Sequence, residues 1–254
     1  MPTPSPRRSR AATLWRTLPA AVLAGLLYTA PAHTAPAQTA PAQTASAGAA
    51  CPPAGLQLEA ATPGEARLLC RAWGDARAAL APLGIAPERS VRVKLAPRRE
   101  DGDRLAAAFG SYDTRDGVVR LRPLAAYLAG AEGGFAQPPS AALWASYAVH
   151  EFTHALIDPH LAHTPSRLVT HEFVAYATQL ATLEPALRAR ILRHYDARRF
   201  TDEQGVNAVT YGFAPHRFGV RAFLTVEAAA DPAAYLRTRL RRGFPGLVDT
   251  PLGG

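Results

Sequence analysis

The chain has 254 residues, 48% hydrophobic and 19% charged, enough to bury a substantial core, which excludes a disordered chain and a disulfide-stapled miniprotein. Its 28 Lys and Arg outnumber its 20 Asp and Glu by a formal +8, a balance that alone would suggest nucleic acid. Half of the excess lies in the first 47 residues, which hold Arg7, Arg8, Arg10 and Arg16 and no acid; the remaining 24 basic and 20 acidic residues are too evenly matched to argue for a nucleic-acid partner.

The basic stretch precedes an apolar run of 13 residues, Leu18 to Ala30, followed by the small-residue sites Ala30-Pro31-Ala32 and Ala35-Pro36-Ala37. This is the layout of a secretory signal peptide, assigned to residues 1–32, and it implies a secreted or periplasmic protein. The run is far short of the roughly 20 residues a spanning helix needs, so no stable membrane insertion is expected once the signal is cleaved. Arg7-Arg8 fits a twin-arginine signal poorly, because Ser9, Arg10 and Ala11 follow where such a signal turns hydrophobic. Residues 33–50 form a low-complexity linker of Ala, Pro and Thr, in which Thr-Ala-Pro-Ala-Gln repeats and no amphipathic face can form. A single domain, residues 51–254, follows and is expected to be a monomer. In an exported chain Cys51 and Cys70 are expected to pair, closing a 20-residue segment and contributing on the order of 3 kcal/mol. Lipidation of Cys51 is the poorer reading, since Gly48-Ala49-Ala50 lacks the apolar residue expected three positions earlier.

Within the body, Ala66, Leu69, Cys70, Trp73, Ala76, Leu80 and Leu83 recur at three- and four-residue steps, predicting an amphipathic helix from Pro63 that ends at Gly84. Val91, Val93 and Leu95 alternate with Arg92 and Lys94, predicting a strand with one wet face over 90–96. Residues 106–112 and 118–121 flank Asp113-Thr114-Arg115-Asp116-Gly117, a hairpin whose Asp-Gly supplies the turn. After a Gly and Pro cluster over 130–139, the period becomes helical. Ser140 caps a helix that should stop at Asp158-Pro159; a second spans about 166–183, a third opens at Pro185 and reaches Tyr195, and two more cover 217–229 and 232–241. The fold class is therefore α+β, a small antiparallel sheet followed by a mainly helical half. The arginines at 237, 239, 241 and 242 are read as a solvated helix face.

The chemistry lies in residues 150–172. His150-Glu151-Phe152-Thr153-His154 is a His-Glu-x-x-His pattern inside the Ser140-capped helix. Residues four apart lie one above the other, so both imidazoles can reach one tetrahedral zinc ion, while Glu151, turned about 100° around the axis, can bond a water at the metal instead. Chance gives this pentapeptide in about one such chain per hundred, and the uncharged flanks Tyr147, Ala148, Val149, Ala155 and Leu156 suit a buried catalytic helix.

Three sequence features offer a third ligand. His160 stands six residues after His154, as in metzincins, but Ile157 replaces their turn glycine and the only methionine is Met1. The stretch Asn207 to Gly212 is similar to the aspartate-type zincin motif, but Ala208 stands where its Asp belongs. Glu172, 18 residues beyond His154 in His171-Glu172-Phe173-Val174-Ala175-Tyr176, falls on the second helix, and small Ala175 permits close packing. This arrangement resembles the gluzincin (thermolysin-like) clan of zinc metallopeptidases, in which a second helix brings a glutamate to the metal. The resemblance covers residues 143–180. It implies a zincin-like fold, one zinc ion held by His150, His154 and Glu172, Glu151 as general base, and an edge strand, here in the hairpin, that holds a peptide or protein substrate by main-chain pairing.

Tyr176, Tyr211 and His216 are the candidates for stabilising the oxyanion. Asp158 can orient an imidazole; His163 and His171 are read as loop residues exposed to solvent, with ligation by His171 the alternative. The alternative at the level of function is a non-catalytic exported binding protein of zincin fold at the cell envelope.

Overall fold

A computed structural model of the protein describes residues 55–96, 109–161 and 166–245. The signal peptide, the linker, Cys51, residues 106–108 of the hairpin and His163 lie outside the described residues. Cys70 is disulfide-bonded.

The described body is α+β, with a four-stranded sheet and eight α-helices among the described residues. Strand β1 (Leu56–Glu59) leads into helix α1 (Pro63–Leu80), and strand β2 (Val91–Leu95) then returns parallel to β1. Strands β3 (Gly110–Asp113) and β4 (Val118–Leu121) form the expected antiparallel hairpin, closed at Gly117, whose φ of 65° suits glycine. The sheet order is β1-β2-β4-β3, and β2 pairs parallel with β4. The sheet is thus mixed, correcting the expected antiparallel one. The physical reason is the short strand β1: a strand, helix and strand unit sets parallel pairing, whereas a hairpin alone sets antiparallel.

Leu56, Leu58, Val91 and Val93 are buried and alternate with exposed Gln57, Glu59 and Arg92, so β1 and β2 have one wet face; helix α1 packs on β1, and the later helix that carries His150 packs on the hairpin. Helix α1 is bounded as its sequence requires. Thr62 and Glu65 form a capping box, and a short 3-10 turn (Ala81–Leu83) ends at Gly84, with φ 79°. Helix α2 (Leu124–Leu128) is one short turn after the hairpin.

Helix α3 (Ala141–Ile157) carries the His-Glu-x-x-His pattern. The Ser140 hydroxyl caps it by accepting from the Leu143 N–H at 3.2 Å, and a 3-10 turn (Asp158–Leu161) containing Pro159 follows its end at Ile157. Every residue from Ser146 to Ile157 is buried, because α3 packs against α1, the β3–β4 hairpin and helix α4 (Arg167–Thr182). Trp73 of α1 meets Phe152 of α3 edge-on at 5.3 Å. Helices α5 (Pro185–Tyr195), α7 (Pro215–Glu227) and α8 (Pro232–Arg242) match the expected segments within two residues at their ends. Helix α6 (Ala208–Phe213), capped by Asn207, adds to the expected helices. Helix α7 packs on α4 at Gly219, where an added Cβ would stand 2.5 Å from Cδ1 of Tyr176. No helix among the described residues is long and apolar enough to cross a membrane.

Candidate metal centre

Helices α3 and α4 run antiparallel at the site: His154 meets His171 near the start of α4, and His150, one turn earlier on α3, meets Gln179 further along it. This brings His150, His154 and Glu172 together, with one ligand atom from each within 4.8 Å of the others, a group able to hold a metal ion. The Nε2 atoms of the two histidines are 3.0 Å apart, and they lie 3.4 and 3.7 Å from the Glu172 carboxylate. Ligands of a tetrahedral ion with bonds near 2.1 Å stand about 3.4 Å apart, so the donor set fits such an ion. Both histidines are buried and Glu172 nearly so.

The tautomer of His150 follows from its neighbours. The Ser146 hydroxyl gives its one proton to the Leu143 carbonyl at 2.7 Å and therefore accepts from the Gln179 side-chain NH2 at 3.0 Å. The carboxamide oxygen of Gln179 then faces Nδ1 of His150 at 3.1 Å and takes its N–H, leaving the Nε2 lone pair aimed into the site. Sequence reasoning missed Gln179. Its signal was a buried polar residue in an otherwise apolar run, two helical turns after Glu172.

Glu151 is buried beside these three residues, where it accepts the Tyr112 backbone N–H of strand β3. Burial pushes its carboxyl up to about 7, aided by Glu172 and opposed by His150 and the Tyr112 bond. A carboxyl poised there can take and return a proton near neutral pH. Burial draws His150 down, but the Glu172 carboxylate, with help from Glu151, outweighs it and holds the imidazole above its ordinary value. Burial and the neighbouring His150 and His171 keep His154 well below that value.

Tyr176 and Tyr211 both reach the site. The Tyr176 ring packs against the His150 imidazole at 4.5 Å, while the Tyr211 hydroxyl, supplied by α6, donates to Glu172. Burial first, then Glu172, raises both phenols. His216 is half-buried against Phe135, at 4.5 Å between rings; burial, then His150, brings it down to about 4. His160 is exposed and outside the cluster. His171, expected in solvent, is instead buried between His154 and Asp158, because the start of α4 packs on the end of α3. Ala208 is at the start of α6 and supplies no ligand.

No curated protein and no solved structure matches the chain. Residues 56–243 match the family of unknown function DUF6639, a span that contains His150, His154 and Glu172, and the chain belongs to that family.

Proposed function

We propose that the chain is an exported zinc metallopeptidase of gluzincin type, hydrolysing peptide bonds with Glu151 as general base. The observation that carries this reading is the buried set of three donors at ligand spacing, with the Glu151 carboxylate beside it and not part of it. Two imidazoles and one carboxylate are a donor set that suits a catalytic zinc ion rather than a closed structural one. His150, His154 and Glu172 would hold the zinc ion, which would supply Lewis-acid chemistry toward the scissile carbonyl and the attacking water. Glu151 takes the proton of that water and passes it to the leaving amine.

The neighbouring residues suit this task. Strand β3 is at the sheet edge, and the Tyr112 N–H on its open side holds Glu151, so a peptide laid along the strand passes the base. The engagement of Tyr211 with Glu172 makes it an orienting donor for that ligand. Tyr176 and His216 are left as the donors for the oxyanion. Export follows from the N-terminal pattern of a basic stretch, an apolar run and small-residue sites.

Metal analysis of the purified protein tests the reading. We expect one zinc per chain, lost in His154→Ala, and peptide hydrolysis abolished in Glu151→Gln with zinc retained. A metal-free protein indifferent to chelators would overturn it. A zinc-loaded native protein that cleaves nothing in a broad peptide library would favour the binding protein instead.

A further inference from the structure

His154 and His171 face each other through their Nδ1 atoms at 3.1 Å, both rings buried. Only one of the two atoms carries the hydrogen. If His171 donated, His154 would bear its own hydrogen on Nε2, between His150 and Glu172, and could not offer a lone pair there. If His154 donates, its Nε2 is bare, and His171 carries its hydrogen on Nε2. That atom is buried, has no regular hydrogen bond, and is 3.5 Å from Oδ1 of Asp158. A carboxylate accepts and does not donate, so Asp158 selects the second arrangement. Asp158 is itself held by an ion pair with Arg167 and by the Tyr112 hydroxyl at 3.5 Å. That hydroxyl accepts from Arg89 at 3.1 Å.

We propose that His171 is a positioning residue, an imidazole spacer through which Asp158 fixes the tautomer and orientation of His154. The inference rests on the reading of His150, His154 and Glu172 as metal ligands. The two histidines are then oriented by different devices, a carboxamide at His150 and an imidazole backed by a carboxylate at His154. Tyr112 joins the second device to the base, because its hydroxyl reaches Asp158 while its main-chain N–H reaches Glu151.

Zinc affinity, measured by chelator competition on the full chain, separates this role from packing. His171→Leu removes the acceptor and is expected to weaken zinc binding about 10- to 100-fold. His171→Asn keeps an acceptor oxygen near the Nδ1 position and is expected to restore affinity close to the native value. Equal zinc affinity in native and His171→Leu protein would overturn the proposal while leaving the metal reading intact, as would His171→Asn as weak as His171→Leu. If the native chain binds no zinc, the metal reading fails and takes this inference with it. Should His171→Leu not fold, nitrogen-15 spectra of the native imidazoles decide. A hydrogen on Nδ1 of His154 supports the proposal, and one on Nε2 overturns it.

Discussion

At Gly110, strand β3 and the side chain of Glu151 leave no room for a Cβ. A Cβ there would lie 2.9 Å from Cγ of Glu151 and 2.6 Å from Cδ2 of Leu121. The Leu121 methyl is the end of a flexible side chain and can turn aside. Glu151 has less freedom, since its carboxylate is bound to Tyr112 and its helix is buried. Gly110→Ala should therefore displace the base. We expect a loss of about tenfold or more in kcat/KM, a cost of about 1–3 kcal/mol in stability, and unchanged zinc affinity, because neither histidine is touched. Steady-state kinetics beside a zinc titration checks this, and an alanine variant as active as the native protein would show that this contact does not set the base. His150, Glu151, His154 and Glu172 were legible in the sequence because helical spacing alone relates the first three and a helix-to-helix connection the fourth. Gln179, His171 and Gly110 were not. Their roles depend on which faces of α3, α4 and β3 meet, and no local period encodes that.

Glu65 shows how a single side chain joins elements. One carboxylate oxygen takes the N–H and hydroxyl of Thr62 at 2.9 and 2.8 Å, closing the cap of α1; the other takes the Leu124 N–H at 2.8 Å, at the start of α2. Glu65 is buried, so Glu65→Ala strands donors at both places and should lower stability by about 3 kcal/mol. Urea unfolding measures it, and a change below about 1 kcal/mol would mean that water replaces the carboxylate. Ser140, Pro185 and Gly84 marked helix ends correctly because capping is local chemistry that a sequence displays. The sheet was less legible. Strand β1 has only four residues, too few for its alternation to stand out, and α6 is a six-residue helix whose Asn207 and Thr210 cap was the only cue. Pairing order is a property of the whole chain, so the parallel contacts of β2 on both sides could not be read from the hairpin alone.

The three candidate ligands couple the proposed metal centre to the fold. His150 and His154 come from α3, whose packing joins α1, the hairpin and α4, while Glu172 comes from α4, which carries α7 and α8. Unfolding separates the two helices and destroys the site, so an ion that binds only the folded chain stabilises all of it. At free zinc a thousandfold above its dissociation constant the gain is about 4 kcal/mol. For a domain of roughly 200 residues that corresponds to a rise in Tm of about 10 °C. Removing zinc with a chelator should lower Tm by this amount in the native protein and equally in Glu151→Gln, which keeps every ligand. His154→Ala should unfold at the same temperature with or without zinc. The comparison needs no substrate, so it tests the metal centre apart from catalysis. A native Tm unmoved by chelation would mean that α3 and α4 are held together by their packing alone and that the three donors bind no ion in solution.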